Sequence, residues 1–545
     1  MNDRLVLKMH ADDNIAVALT DLGKGDTVSV EGAEFTLQEN VSAKHKLALQ
    51  ELNSGDKIIM YGILVGTALK GIKTGELIST ANITHASGEF VLEGKKSISW
   101  STPEIADFSN LTFLGYQRED GKIGTANYWV VIPLVFCENR NLQYMKDAML
   151  EELGYRKGNN YKEQVKALIR TTQNERKAVN EDVKPKTSGP FFENIDGIKF
   201  LSHTMGCGGT PADARSLCGL LAGYICHPNV AGATILSLGC QDAQVEILVE
   251  EIHRRDKSLK KPVLIFEQQK HGTEYDLLSN AIQQTFNELV KANECKRKPA
   301  PLSKLTIGVE CGGSDGFSGI SANPAIGHVA DMLTALGGSV ILSEFPELCG
   351  VEQELVDRCL DTAKAKKFVE LQKAYAEKAE VNGAGFYLNP SPGNIKDGLI
   401  TDAMKSAGAV KKGGTSPIVD VLDYPEMITN SGLNLLCTPG NDVESTTALA
   451  GAGANLILFS TGLGTPTGNP ITPVIKVSSN TTVAEKMYDV IDVDSGKIIS
   501  GEETIEEVGK RLLNYCIEVA SGNLQAKASQ NGQDDFIPWK RGVSL

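Results

Sequence analysis

Four short segments place a cysteine beside a glycine or proline turn at the end of an apolar run. They are Gly206-Cys207-Gly208-Gly209-Thr210, Leu238-Gly239-Cys240, Glu310-Cys311-Gly312-Gly313-Ser314 and Leu436-Cys437-Thr438-Pro439-Gly440. Three of these thiols, Cys207, Cys240 and Cys311, could serve iron or an iron–sulfur cluster. A cluster site ordinarily shows a close pair such as Cys-x-x-Cys, and these loops have none, which favours cysteines that shape a turn or line a pocket. Three of the eight histidines fall near the amino terminus: His10 ahead of Asp12-Asp13-Asn14, His45 ahead of Lys46, and His85 after Ile83-Thr84. Their spacing matches neither a zinc finger nor His-Glu-x-x-His, so no short metal motif applies. Taken alone each is as readily an exposed or hydrogen-bonded side chain; a polar setting at strand ends is what recommends them as ligands. The loops Ser314-Asp315-Gly316-Phe317-Ser318-Gly319 and Ser391-Pro392-Gly393-Asn394 offer hydroxyl, amide and carboxylate groups after strands, although most loops of this composition are only turns. There is no Gly-x-Gly-x-x-Gly, no Walker loop and no Gly-x-Ser-x-Gly, so nucleotide and serine-hydrolase chemistry lack support.

Something must hold these loops, and the pattern of apolar runs says what. Ala233–Leu238, Pro262–Phe266, Leu305–Val309 and Asn455–Phe459 are solid apolar runs of the kind that form parallel strands buried on both faces. Helical periods lie between them. The clearest begins at Thr504, with Glu507 three residues on as a capping box, Ile505, Val508, Leu512, Cys516 and Val519 on one face, and Gly522 as the stop. The region from Leu111 onward therefore reads as α/β, in two halves of mainly parallel sheet, 111–300 and 301–545. The echo of Cys-Gly-Gly-(Ser/Thr) places Cys207 and Cys311 in equivalent strand-to-helix turns, facing a common crevice beyond the carboxyl ends of the strands, where such sheets bind ligands. Residues 1–90 differ: short runs such as Thr27–Val30 and Phe35–Leu37 alternate with turns at Gly23–Asp26, Glu31-Gly32 and Ser54–Lys57, which is a small, mostly β module. Residues 91–110 read as a linker, and the charged span 155–186 as a peripheral helical excursion.

Bulk properties narrow the partners. The chain has 545 residues, more than one core ordinarily supports, and a formal net charge of −14, which speaks against nucleic acid or an anionic membrane surface. The amino-terminal residues lack a signal pattern, no apolar run approaches the length of a membrane span, and eleven cysteines dispersed through a large chain suit reduced thiols in the cytoplasm.

A longer set of motifs is more specific. Gly115–Tyr128, which contains Arg118 and Asn127, resembles the signature opening the large region of the altronate and galactarate dehydratases. The cysteine loops, Cys311–Gly319, Ala322-Asn323-Pro324-Ala325, Asn389–Asn394 and Thr461–Pro466 follow in the family's order, and residues 1–90 resemble its β-clip (SAF) domain. The resemblance spans nearly the whole chain. It implies a dehydratase that converts a sugar acid to a 2-keto-3-deoxy acid and needs a divalent metal, Fe2+ or Mn2+. On this reading His10, His45 and His85 are metal ligands, with Cys207, Cys240 and Cys311 as the alternative set for an iron–sulfur cluster. Lys46, Arg118 and Asp315 are the candidates for catalysis and for countering substrate charge. Asn127, Ser314, Ser318 and Asn394 are candidates for holding the substrate, in a site between the small module and the large region. There are departures: Cys437 stands where altronate-type members often have aspartate, Gly468-Asn469-Pro470 lacks a cysteine some members carry, and the galactarate type differs around His85. Altronate leads as the substrate over galactarate and other hydroxy acids, and a homodimer is allowed. A rival of another class is an inactive sugar-acid-binding protein; the intact histidine and cysteine loops, and the lack of a DNA-binding module to pass on a signal, argue against it.

Overall fold

The computed structural model describes residues 5–88, 91–92, 99–156, 160–172 and 189–545. The small module is built from short antiparallel strands turned by tight hairpins. Thr27–Val30 pairs with Ala33–Thr36 across Glu31-Gly32, and Lys57–Met60 with Ile63–Ala68 across Tyr61-Gly62. All four turn residues have positive φ, between 51° and 85°, the conformation whose twist matches the flanking strands.

The large region contains two parallel sheets. The first runs in the order Gly197–Phe200, Tyr128–Pro133, Val230–Ser237, Val263–Glu267. The second has seven strands in the order Ile418–Leu422, Gly432–Leu436, Ser339–Leu342, Thr306–Cys311, Leu456–Thr461, Val474–Ser478 and Val493–Asp494, all parallel. The apolar runs read from sequence are among these strands, and most of their residues are buried, as strands covered on both faces should be. The capping box at Thr504 and Glu507 opens the helix Ile505–Ala520. Of the charged span 155–186, helix Asn160–Thr172 is described, and residues 157–159 and 173–186 lie outside the described residues.

One hydrophobic core joins the two halves, containing Val130 and Ile235 of the first sheet with Ile341, Leu436 and Ile457 of the second. Between the sheets, helix Pro211–Cys226 crosses helix Asp442–Gly451 at Gly223 and Gly451, where a Cβ on Gly223 would collide with the Gly451 carbonyl. Residues near the end of the chain bridge the two halves: the Arg541 and Gly542 amides donate to Asp213 Oδ1 at the start of helix Pro211–Cys226 (3.0 and 2.9 Å), while the Arg541 guanidinium holds Asp423 beyond strand Ile418–Leu422.

Both cysteine turns lead from a strand to a helix, as their sequences suggest, but they are not equivalent in place or burial. Gly197–Phe200 is an edge strand, and Cys207 lies beyond its end in an exposed loop that leads straight to Thr210, the cap of the next helix. Thr306–Cys311 is the middle strand of seven, and Cys311 is its last residue, buried. The small module packs on the second half, with Ile58, Val65 and Ile83 in one core with Phe317, Ile320, Ala403 and Met404. Among the described residues no helix is long and apolar enough to cross a membrane.

Candidate active site at the carboxyl edge of the second sheet

Strand Thr306–Cys311 delivers Glu310 and Cys311 to the carboxyl edge, and its neighbour Ser339–Leu342 leads into Ser343-Glu344 and the short helical turn Phe345–Leu348, which carries Glu347. The Cys311 thiol donates to Glu347 Oε2 at 3.1 Å, and the Cys311 amide donates to Glu344 Oε2 at 3.1 Å. One ligand atom from each of Cys311, Glu344 and Glu347 falls within 4.8 Å of the others; among the described residues this is the set of three or more histidine, cysteine and acidic side chains so arranged. Glu310 lies beside them, its Oε2 accepting from Ser343 Oγ (3.0 Å) and Ser445 Oγ (2.6 Å).

Two lysines balance these acids. Lys412 donates to Glu344 Oε2 at 2.6 Å, and Lys405 to Glu347 Oε1 at 2.5 Å and to Asn389 Oδ1 at 2.9 Å. Burial raises Glu347's pKa, but Lys405 and Lys412 more than reverse this and hold it below its usual range. Burial, and then the charge on Glu344, pushes the Glu310 carboxyl well above its usual range. Asp442, half-buried at the first turn of helix Asp442–Gly451, is pushed up to about 7 by burial and by Glu344 and Glu347.

Two features set this cluster apart from an ordinary buried ion pair. The Glu310 and Glu344 carboxyls are hydrogen-bonded to each other, and beyond that contact neither Oε1 has a partner. Glu344 also holds a left-handed backbone, φ 64° and ψ 57°, which costs a non-glycine residue about 1–3 kcal/mol and marks sites where the surroundings over-determine the chain. A thiol and two carboxylates within reach of a single ion are donor types that a divalent transition metal accepts, so these residues fit the metal that the family resemblance implies.

Lys405 also faces a second space. With Tyr61 of the small module and Ser314, Asp315, Ser318, Asn323 and Leu399 it lines a cavity of about 10 Å3, enough for about one water. Asp315, fully buried, organises the loop between Cys311 and helix Ala322–Ala335: it accepts from the Phe317 amide, Ser318 Oγ, Ser479 Oγ and Asn480 Nδ2. Lys44 reaches in from the small module to Asp315 at 3.0 Å and Asp397 at 3.4 Å. The neighbouring Lys46 is fully buried, donates to the carbonyls of Gly398 (2.5 Å) and Lys44 (3.1 Å), and burial lowers its pKa to about 7. Asn394 caps a short helix through Ser391 and donates to the Ser314 carbonyl at 2.7 Å.

The structure therefore brings Lys46, Ser314, Asp315, Ser318 and Asn394 into one neighbourhood beside Cys311. It does not bring Arg118 and Asn127 there. Both lie at the amino edge of the first sheet, where Arg118 donates to the Pro228 carbonyl, Asn127 Oδ1 and the Ala126 carbonyl, and Asn127 to the Asn194 carbonyl. With its donors spent on the protein, Arg118 ties the start of one strand to the next. His10 is exposed and accepts from the Asp12 amide, His45 faces the Ala43 carbonyl, and His85 contacts Asp402; the three do not converge on one another in this structure. Nor do the three cysteines, since Cys207 and Cys240 belong to the first sheet and are exposed. The sequence reading missed Glu310, Glu344, Glu347, Lys405, Lys412 and Asp442. The signal for two of them was present: Glu344 and Glu347 directly follow the apolar run Ser339–Leu342, at the end of a strand.

Comparison with known proteins agrees with this architecture. Family models match in succession: the altronate/galactarate dehydratase SAF domain over residues 4–86, the D-galactarate dehydratase/altronate hydrolase second domain over 115–293, and the D-galactarate/altronate dehydratase C-terminal domain over 302–544. The chain is 34% identical to altronate dehydratase of Escherichia coli and 33% identical to that of Bacillus subtilis, with 99% of each chain covered in both cases. It is 30% identical to galactarate dehydratase (L-threo-forming) of Escherichia coli, over 96% of this chain and 94% of that one. A small β module docked on two parallel-sheet halves, with a thiol, carboxylates and lysines gathered at one carboxyl edge, thus belongs to a hydro-lyase of the altronate/galactarate dehydratase family.

Proposed function

We propose that this enzyme dehydrates D-altronate to 2-dehydro-3-deoxy-D-gluconate, in the cytoplasm and with iron or manganese as its divalent metal. The observation that carries this reading is the gathering of Cys311, Glu344 and Glu347 with Lys405 and Lys412 at the carboxyl edge of the second sheet. The slightly higher identity to the two altronate dehydratases than to galactarate dehydratase supports the choice of sugar acid.

The difficult step is loss of the proton on C2, because it places a second negative charge beside the substrate's carboxylate. A bound divalent metal supplies neutralisation of that charge and chelation of the carboxylate with a neighbouring hydroxyl. The protein's own groups supply the rest. Lys405, the cation paired with Glu347 in the acid cluster, counters the developing enolate. Asp442, poised near neutral pH and half-buried at the edge of the cluster, accepts the C2 proton at a carboxylate oxygen. Hydroxide leaves C3 and takes from Asp442 the proton removed from C2, giving water, and the enol tautomerises to the 2-keto-3-deoxy acid. Ser314, Ser318 and Asn394 shape the loops that orient the hydroxyls, held in place by Asp315 and by Lys44 and Lys46 of the small module.

A panel of altronate, galactarate and other sugar acids, assayed for 2-keto-3-deoxy product with added Fe2+ or Mn2+, tests the proposal. Altronate should turn over fastest and chelation should abolish turnover; product from none of the panel would refute it.

A further inference from the structure

We propose that Trp539 and Arg541, in the segment that crosses from the second half to the first, are positioning residues for the dehydration, holding the two loops that fix Glu344, Glu347 and Lys405. The inference rests on the reading of the acid cluster as the place where the sugar acid reacts. Among the described residues, neither side chain has a hydrogen bond or ion pair with the cluster's glutamates, so both act through others.

Two routes lead from this segment to the cluster. In the first, the Arg541 guanidinium donates to both oxygens of Asp423 and rests on Cys437 Sγ at 3.9 Å. Cys437 follows strand Gly432–Leu436, and the next residue, Thr438, accepts the Glu344 amide at its Oγ1 (2.8 Å) and the Phe345 amide at its carbonyl (3.2 Å). Those two bonds hold Glu344 in its left-handed backbone at the start of the turn that carries Glu347. In the second route, the Trp539 ring packs on Tyr375, 5.3 Å between centroids, and Tyr375 packs edge-on against Phe386 at 5.5 Å. Phe386–Leu388 is a single helical turn that ends at Asn389, and Asn389 accepts from Lys405 (2.9 Å) and donates to Glu347 Oε1 (3.3 Å).

The two residues hold each other and are held from the first half. Arg541 lies over the Trp539 ring at 4.3 Å, and the Trp539 amide donates to Tyr424 Oη at 3.0 Å. The Arg541 amide donates to Asp213, whose carboxylate is locked into the capping box of helix Pro211–Cys226. A fork that grips a carboxylate and a flat face that lies on an indole are what a guanidinium supplies and a lysine does not. Displacing reacting groups by about 1 Å costs on the order of 100-fold in rate, so this segment governs turnover without meeting the substrate.

The test uses the full-length enzyme with the sugar acid it turns over fastest. Arg541→Met and Trp539→Leu should each lower kcat by roughly 10- to 100-fold while KM stays within about threefold. Thr438→Val should do the same, and Arg541→Met combined with Thr438→Val should be no slower than the slower single variant, because both interrupt one route. Trp539→Phe, which keeps an aromatic face, should retain kcat within about threefold. Losses that add in the double variant, or a rise in KM at unchanged kcat, overturn the proposal. A second measurement needs no substrate. Cys437 is buried against Arg541, and burial pushes its thiol up to about 12, so it should resist iodoacetamide in the unaltered protein and react about tenfold faster or more in Arg541→Met. Arg541→Lys, which keeps the charge but not the fork, serves if Arg541→Met does not fold. Equal protection of Cys437 in the variants overturns the proposal. Release of Cys437 in a protein that dehydrates no sugar acid leaves the hold on the loop standing and refutes the functional reading instead.

Discussion

The two Cys-Gly-Gly turns begin from almost the same residues and end in opposite circumstances. Cys207 is exposed in a loop beyond an edge strand, and Cys311 is buried at the end of the central strand of a seven-stranded sheet. What separates them is their neighbours. The middle strand has a strand on each side, and the end of one brings Glu344 and Glu347 to Cys311, while helices packed across that edge bring Lys405 and Lys412. The edge strand has one strand neighbour and, at its loop, residues 540 to 545 of the chain. A shared local motif thus fixes a turn; the position of its strand in the sheet decides what chemistry the turn can meet.

The comparison breaks most visibly if the lysines are not compensating buried charge. Lys412→Met strips Glu344 of its cation at a site with 1% side-chain exposure, and should cost about 3–5 kcal/mol in urea unfolding. By contrast Arg215→Met, which loosens partly exposed pairs in the first half, should cost no more than about 1 kcal/mol. Equal losses would show that the acid cluster is no different from surface pairing.

Activity sharpens the contrast between the cysteines. Cys311→Ser should lower kcat/KM for the sugar acid by roughly 100-fold or more, as expected for a lost metal ligand. Cys207→Ser should leave kcat/KM within about twofold and stability within about 0.5 kcal/mol. A large loss from Cys207→Ser would return the chemistry to the first half.

The joint between the halves can be strained directly. Gly223→Ala inserts a methyl group against the Gly451 carbonyl where two helices cross, and should destabilise the protein by about 1–3 kcal/mol, measured as a lower melting temperature. No change would mean that the halves do not depend on this close crossing.

A further test concerns the small module. Lys46 has a pKa of about 7 in the folded protein against an ordinary value of 10.5, because burial disfavours its charged form. Between those values the unfolded chain binds more protons than the folded one, so stability contributed by this site rises as pH increases from about 7 toward 10. Lys46→Met should flatten that part of the stability–pH curve. An unchanged slope would place the lysine in water rather than against the Gly398 carbonyl.

Much of the scaffold was legible before the structure. Apolar runs marked the parallel strands because a strand covered on both faces needs apolar residues throughout, and Thr504 with Glu507 marked a helix start because the reciprocal cap is local. Glycine and cysteine after apolar runs located the strand ends. Which edge a loop belonged to was less well read: Asn127 directly precedes strand Tyr128–Pro133, so it and Arg118 had to lie at the amino edge, and their side chains are consumed in holding strand starts together.

Only the tertiary structure assembled the acid cluster. Cys311 meets Glu344 and Glu347 across 33 and 36 residues of sequence, and Lys405 reaches Glu347 across 58. These contacts depend on the order of strands in the sheet and on which helix covers its edge, and neither leaves a periodic trace in the chain. Local propensity, capping and turn chemistry act over a few residues and can be read from them. Burial that forces carboxylates, a thiol and lysines together acts over the whole fold, and appears only once the chain has closed on itself.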